Sequence, residues 1–114
     1  MSTENLHQQK CVACEGGVDP IEKEAASNLM PQLDEAWHLS DDGKHISRTF
    51  SFKNYYQTMA FANAVAYVAH QEDHHPDMQI SYRDCHVDYT THAIGGLSQN
   101  DFICAAKLDR LLIG

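Results

Sequence analysis

Two adjacent histidines stand in the stretch EDHHPD at residues 72–77, between acidic residues and next to a proline. An imidazole titrates near neutral pH, so His74 and His75 could each serve as a general acid or a general base. Imidazoles also bind zinc, and a metal site is therefore the main alternative. The spacing of the histidines, and the elements that must hold them, decide between these two chemistries.

The spacing disfavours zinc. Neighbouring side chains in an extended segment point in different directions, so His74 and His75 are poorly placed to bind one ion together. His70 and His74 have the i, i+4 spacing of a helical zinc motif, but His74 falls past the expected end of its helix. We therefore predict no metal at this pair.

The cysteines form an incomplete ligand set. Cys11 and Cys14 make a CxxC pair, whereas neither Cys85 nor Cys104 begins a second one. A zinc ribbon needs another pair of cysteines or histidines at suitable spacing. The favoured interpretation is an arm that carries two thiols, and an accessory metal or redox role stays open.

Length and charge limit the class of protein. The chain of 114 residues is enough for one domain, and its formal net charge of −8 argues against binding to the phosphates of a nucleic acid. No apolar run reaches the about 20 residues that span a bilayer, and the first ten residues lack the apolar core of a secretory signal. We expect a cytoplasmic protein with reduced cysteines, no membrane partner and no nucleic-acid partner.

The chain divides into an arm and a domain. Residues 1–18 are polar and predict a loosely held, irregular N-terminal arm, and residues 19–114 predict a single domain. Asp19 is expected to cap a short first helix, with a proline at the first helical position, and Pro31 is expected to end that helix.

Apolar spacing predicts the central elements. The stretch AWHLS at 36–40 indicates a short strand, and residues 45–52 alternate as a half-buried strand does. A helix is expected at 55–72 with Asn54 as its cap. The histidine pair then lies just past a helix C-terminus, where the helix dipole favours a cationic imidazole.

The last third predicts a hairpin and a helix. Residues 78–82 and 85–91 alternate on either side of a short turn. Because a hairpin returns the chain, His92 at the end of the fourth strand can approach the histidine pair at the start of the third. Ser98 is expected to cap a final helix, with Asp101 at the capping-box position.

The order of elements indicates an α+β fold. It predicts a four-stranded antiparallel sheet with three helices packed on one face, in the order α-β-β-α-β-β-α. Each hairpin is antiparallel, and each amphipathic helix needs an apolar surface to cover.

Two long segments resemble the pterin-4a-carbinolamine dehydratase family. FSFKNYYQTMAFANAVAYVAHQEDHHPD looks like the family's approach to its histidine pair, and TTHAIGGLSQND matches its Ser/Thr-His, Gly-Leu-Ser and Asp pattern. Trp37 with Leu39 fits the first strand, and the resemblance covers about residues 20–113. His70 stands where an acidic residue is frequent, and Met78 where an aromatic residue is frequent; neither departure affects the three histidines.

The resemblance implies a hydro-lyase. Its substrate is 4a-hydroxytetrahydrobiopterin, which loses water to give quinonoid dihydropterin in tetrahydrobiopterin recycling. This needs one proton at the 4a-hydroxyl and removal of another from the adjacent ring nitrogen, and general acid–base catalysis contributes on the order of 10² to 10⁴ in rate. The lone pair of that nitrogen expels the leaving group, so no cofactor is expected. A homodimer or homotetramer is the implied assembly.

The resemblance also assigns the catalytic set. We predict His74 as the principal acid at the 4a-hydroxyl and His92 as a second acid–base group across the pocket. His75 is expected to hold the pterin ring.

Three further residues are expected to help bind the substrate. Thr91 would orient the strand end, and Asp73 would set the charge of a neighbouring imidazole. Asp101 would do the same for His92, with a role as helix cap alone as an equal alternative.

Two other classes of function stay open at the level of sequence. One is a non-catalytic interaction protein, because some members of the family act as dimerisation cofactors for a transcription factor. The other is a metal-binding module that uses the arm cysteines and the histidines. Turnover of the carbinolamine separates the dehydratase from both, and copurified zinc would favour the module.

Overall fold

The structure, a computed structural model, describes residues 6–12 and 19–112. The described part forms a four-stranded antiparallel sheet with helices against one face, which confirms the predicted α+β class. In chain order the elements are α1 (Lys23–Leu29), β1 (His38–Leu39), β2 (Ile46–Ser51), α2 (Tyr55–Glu72), β3 (Asp77–Ile80), β4 (Asp84–Tyr89) and α3 (Gln99–Arg110). No helix within it is both long and apolar enough to cross a membrane.

The sheet order brings the two ends of the hairpin to the same place. The strands follow the order β1-β2-β4-β3, and β4 is the central partner of both β2 and β3. Asp77, at the start of β3, lies opposite Asp88, near the end of β4. The chain that enters β3 and the chain that leaves β4 are therefore neighbours, and these two segments carry the histidines of interest.

The two faces of the sheet differ in polarity. The two-residue period of β4 buries alternate side chains, namely Cys85, Val87 and Tyr89. Helices α2 and α3 cover them with apolar side chains that include Phe61, Val65, Val68, Phe102 and Leu108. The opposite face carries polar pairs between neighbouring elements, in which Nδ1 of His86 lies 2.7 Å from the Thr49 hydroxyl and Nδ1 of His45 lies 2.7 Å from Asp88.

Arg48 is the polar residue on the buried face of β2. It occupies the first position of β2 beyond the pairing with β1. Its Nη1 donates to Oδ1 of Asp109 at 2.7 Å, and its guanidinium carbon lies 4.3 Å from the centre of the Phe50 ring. The Trp37 indole nitrogen donates to the same carboxylate at 2.7 Å. These bonds fasten the β1–β2 corner to α3.

The first helix starts later than the sequence predicts. The predicted cap at Asp19 is wrong, because α1 begins at Lys23 and has no side-chain cap. The preceding segment is held by a tertiary bond, in which the Ile21 N–H donates to the Leu97 carbonyl at 2.8 Å. The helix ends shortly before Pro31, which sits in a short 3₁₀ turn.

Two predicted boundaries also move in the last third of the chain. Strand β3 ends at Ile80, and the Tyr82 side chain beyond it is 64% exposed, so it does not continue the apolar face. The turn is closed by the Ser81 N–H, which donates to the Asp84 carbonyl at 2.9 Å. Helix α3 ends at Arg110, and Leu112 beyond it is 46% exposed, so it is not part of the core.

The described part of the N-terminal arm is docked. Leu6 is 2% exposed and belongs to the apolar core, and Leu6–Gln8 form a 3₁₀ turn against α3. The Lys107 ammonium donates to the carbonyl of His7 at 2.9 Å. The expectation of a loosely held arm is therefore wrong for residues 6–12. Cys14 lies outside the described residues.

Candidate active site

The histidine pair follows the C-terminal end of helix α2 after one residue in the left-handed conformation. Asn54 caps the start of α2 as predicted, by accepting a backbone hydrogen bond at 2.9 Å. At its end Asp73 has a φ of 52°, a conformation that few residues other than glycine adopt. The His74 N–H donates back to the Ala69 carbonyl at 3.1 Å. The turn is thus tight, and both histidines follow it directly.

A cavity of about 340 Å³ brings the three histidines together. His74 and His75 come from the turn after α2, and His92 comes from the short 3₁₀ turn after β4. The other lining residues are Cys11, Val12, Glu72, Asp73, Thr90, Thr91, Ala93 and Asn100. The cavity therefore lies where the sheet order joins the start of β3 to the end of β4.

Asp101 is fully buried at 0% exposure, and both of its carboxylate oxygens are bonded. Oδ1 lies 2.6 Å from Nε2 of His74. Oδ2 accepts from the Thr91 hydroxyl at 2.8 Å and from the Ser98 N–H at 2.9 Å. The last bond is half of a capping box at the start of α3, so Asp101 both caps the helix and holds an imidazole. The expected pairing of Asp101 with His92 is wrong; its imidazole partner is His74.

The partner of His74 governs its charge. Burial by itself lowers the pKa of His74, but the hydrogen bond and the negative charge of Asp101 outweigh burial, and the pKa is raised above its ordinary value. The ring stacks on Tyr89 with centroids 5.9 Å apart and planes at 7°. Because Nε2 faces Asp101, Nδ1 is the ring nitrogen that remains for a ligand. His74 is thus an oriented imidazole that favours its protonated form.

His75 and His92 have a different environment. Both are exposed, and both line the cavity. Pro76 restricts His75 to an extended backbone, which directs it away from the helix that precedes it. An exposed imidazole can exchange protons with water, so these two residues suit contact with a ligand that enters from solvent.

Asp73 and Thr91 reach the site in different ways. Asp73 is exposed at the cavity, and its charge contributes to the raised pKa of His74. Thr91 is 4% exposed, and its hydroxyl lies 2.7 Å from the hydroxyl of Ser98 in addition to its bond with Asp101. The Thr91 hydroxyl therefore acts through the Asp101 carboxylate.

The sequence gives no sign of several cavity residues. Cys11 and Val12 belong to the arm, whose sequence has no apolar periodicity. Glu72 has the sequence pattern of a solvent-exposed residue at the end of a helix. Asn100 precedes Asp101 in the first turn of α3, and this adjacency is the one signal that could have marked it. Each of these residues reaches the cavity through contacts that are distant in sequence.

The described cysteines and histidines do not form a metal ligand set. Among residues 6–12 and 19–112, no three His, Cys, Asp or Glu side chains are grouped so that they could hold a metal ion. Cys11 and Cys104 are free thiols whose sulfur atoms lie 3.5 Å apart. Cys14, the other half of the CxxC pair, falls outside these ranges.

The family model and the similar proteins all point to the same family. The family model for pterin 4 alpha carbinolamine dehydratase matches residues 19–111. A protein of Nitrosomonas eutropha, provisionally named a pterin-4-alpha-carbinolamine dehydratase, is 68% identical over 109 residues, which are 96% of this chain and 95% of that protein. A Legionella pneumophila protein with the same provisional name is 50% identical, over 97% of this chain and 98% of its own.

A solved structure agrees with the fold. The crystal structure of a transcriptional coactivator/pterin dehydratase from Brucella melitensis superposes with a TM-score of 0.76 at 25% identity, and it covers 82% of this chain and 98% of that one. The family match spans all four strands, all three helices and the histidines of the cavity. The chain belongs to the pterin-4a-carbinolamine dehydratase family, a family of hydro-lyases.

Proposed function

We propose that this chain removes water from 4a-hydroxytetrahydrobiopterin to give quinonoid dihydropterin, as a step of tetrahydrobiopterin recycling. Family membership supports a pterin carbinolamine as the substrate. The observation that carries the proposal is a cavity of about 340 Å³ with three imidazoles in its wall, one of them bonded to a fully buried carboxylate. Small-molecule sites have volumes of roughly 300 to 1,000 Å³, so a single flat bicyclic ring is a suitable occupant.

His74 is the acid in this proposal. Its protonated imidazole keeps Nε2 on Asp101 and donates from Nδ1 to the 4a-hydroxyl. The carbon–oxygen bond then breaks, and the oxygen leaves as water. The charge of Asp101 raises the pKa of His74, which increases the protonated fraction of His74 at neutral pH.

His92 is the base, and His75 holds the ring. As the hydroxyl leaves, the lone pair of the neighbouring ring nitrogen forms a double bond to the 4a carbon. His92 takes the proton that this nitrogen loses, which balances the proton that His74 delivers. Proton exchange with water then returns the two histidines to their starting protonation states. Each proton transfer of this kind contributes on the order of 10² to 10⁴ in rate.

The test is a direct dehydration assay. Purified protein is mixed with freshly generated 4a-hydroxypterin, and the loss of its absorbance is followed beside a protein-free reaction. We expect a rate well above the spontaneous one. Decay no faster than in buffer, at protein concentrations up to that of the substrate, would contradict the proposal.

Chelation separates acid–base catalysis from metal catalysis. Because a protonated imidazole supplies the acid, we expect exhaustive treatment with EDTA to leave the dehydration rate unchanged. The control is protein carried through the same dialysis without EDTA. Loss of activity that zinc restores would assign the acid to a bound metal and reverse the interpretation of the histidines.

The assembly and the cellular location remain predictions. We expect a homodimer or a homotetramer in the cytoplasm, without a nucleic-acid partner. Light scattering during size-exclusion chromatography measures the mass directly, and a monomer across the whole concentration range would contradict the predicted assembly.

A further inference from the structure

The cavity has a wall that lies outside the family match. Cys11 and Val12 line the cavity, whereas the family model begins at residue 19. The backbone of these two residues passes between the C-terminal end of α2 and the first turn of α3, where it is bonded to both helices. Because the wall comes from the arm, its position depends on how the arm is held.

Asn100 holds the wall through both ends of its amide. Its Oδ1 accepts from the Val12 N–H at 3.1 Å, and its Nδ2 donates to the Val12 carbonyl. Asn100 is 4% exposed, and it directly precedes Asp101, which holds His74. The wall and the His74–Asp101 pair are therefore positioned from the same helical turn.

Glu72 holds the neighbouring residue. Its Oε1 accepts from the Cys11 N–H at 2.9 Å, and its side chain is only 6% exposed. Burial alone raises the pKa of Glu72, but the Cys11 amide and the Lys107 ammonium outweigh it, and the pKa is lowered. Removing a partner from a buried carboxylate is costly, so this bond favours the docked arm.

The side chains of Glu72 and Asn100 bind the backbone of Cys11 and Val12. The Val12 side chain is 72% exposed although it lines the cavity, so its apolar surface is accessible to a bound molecule. A flat heterocycle buries most of its surface when it binds, and a wall at the mouth of the cavity adds to that burial.

We propose that docked Cys11 and Val12 form a wall of the site that packs against the bound substrate, with Val12 as a contact residue and Asn100 as a positioning residue. The identity of the substrate rests on the proposed function above. A wall that touches the ring but no reacting atom binds the ground state and the transition state equally. Its release therefore raises KM and leaves kcat almost unchanged.

Two variants test this wall in complementary ways. Asn100→Ala removes both bonds to Val12, and Val12→Ser keeps the backbone bonds but removes the apolar contact. Asn63→Ala is the matched control, because Asn63 is exposed on α2. We expect KM to rise by up to about tenfold in both variants, because the loss of a hydrogen bond or of an apolar contact weakens binding by about this factor. We expect kcat to stay within about twofold of wild type.

Hydrogen exchange over residues 6–12 provides a readout that is independent of turnover. We expect the amide hydrogens of Cys11 and Val12 to be protected in the wild type, in Val12→Ser and in Asn63→Ala. In Asn100→Ala the Val12 amide should exchange about tenfold faster, since it loses its bonded partner, whereas the Cys11 amide keeps its bond to Glu72. Unprotected amides in the wild type would overturn the docked wall.

The outcomes distinguish failure of the proposed wall from failure of the proposed dehydratase function. In Asn100→Ala the protection of the Val12 amide is lost, and in Val12→Ser the apolar side chain is lost. If KM nevertheless stays at the wild-type value in both variants, the wall has no part in substrate binding, and the dehydratase function stands. If the wild type shows no turnover, the proposed function fails. In that case hydrogen exchange is measured with and without saturating 7,8-dihydrobiopterin. If the pterin does not increase the protection of the Cys11 and Val12 amides, the proposed wall is overturned.

Discussion

His74 is set apart from the other histidines of the cavity by its partner. Its Nε2 lies 2.6 Å from a carboxylate that is fully buried and bonded on both oxygens. His75 and His92 line the same cavity from exposed positions. An oriented imidazole beside a fixed negative charge suits an acid, and exposed imidazoles suit binding and proton exchange.

Replacement of each histidine should have a distinct kinetic signature. We expect His74→Ala to lower kcat and kcat/KM alike, by about 10²- to 10⁴-fold, because it removes an interaction made only in the transition state. His92→Ala should be nearly as damaging to kcat, and His75→Ala should also raise KM. His45→Ala is the control, since His45 bonds to Asp88 on the polar face of the sheet. Wild-type turnover in both His74→Ala and His92→Ala would refute acid–base catalysis by this set.

The pH profile should report the charge of Asp101. A general acid must be protonated, so kcat falls as pH rises through the pKa of His74, and this pKa is raised by Asp101. Asp101→Asn removes the charge but keeps an oxygen that can accept from the Ser98 N–H, so the cap of α3 survives. We expect the falling limb of kcat against pH to move to lower pH in this variant. A limb at the wild-type position would show that another group controls it.

At the scale of elements, local signals predict where the two helices that border the site begin. Asn54 caps α2, and Ser98 with Asp101 caps the start of α3; in both caps the partners lie within three residues, so the sequence reveals them. The start of α1 is different, because the Ile21 N–H bonds to the distant Leu97 carbonyl, which no local pattern encodes.

The left-handed turn at Asp73 can be separated from its charge. An alanine at a φ of 52° is strained, whereas a glycine adopts this conformation readily. We therefore expect Asp73→Ala to have a free energy of unfolding about 1 kcal/mol lower than Asp73→Gly. Urea denaturation of the two variants measures this difference, and both lose the same carboxylate. Equal midpoints at equal slopes would show that the turn relaxes to another conformation.

At the scale of the molecule, the cavity combines segments that are far apart in the chain. Cys11 bonds to Glu72 across 61 residues, and Val12 bonds to Asn100 across 88. The hairpin and its flanking histidines are predictable because alternation and turns are local. The docked arm is not predictable from the sequence pattern, since its anchors are single polar side chains on surfaces that the fold alone brings together.

Cys11 and Cys104 belong to opposite ends of the chain, and their sulfur atoms lie 3.5 Å apart beside the cavity. The hydrogen bond between the thiols and the burial of Cys11 raise its pKa. Because the thiolate is the form that reacts with alkylating agents, Cys11 should resist iodoacetamide at pH 8 although it lines a cavity.

Denaturation should remove this resistance. In urea the two thiols separate, and we expect Cys11 to be alkylated at the rate of an ordinary cysteine, as measured by mass spectrometry of its peptide at successive times. Alkylation at equal rates in the folded and the unfolded protein would contradict the paired thiols. We therefore expect access to the cavity and chemical reactivity to be separate properties of Cys11, because the docked arm places its thiol against Cys104.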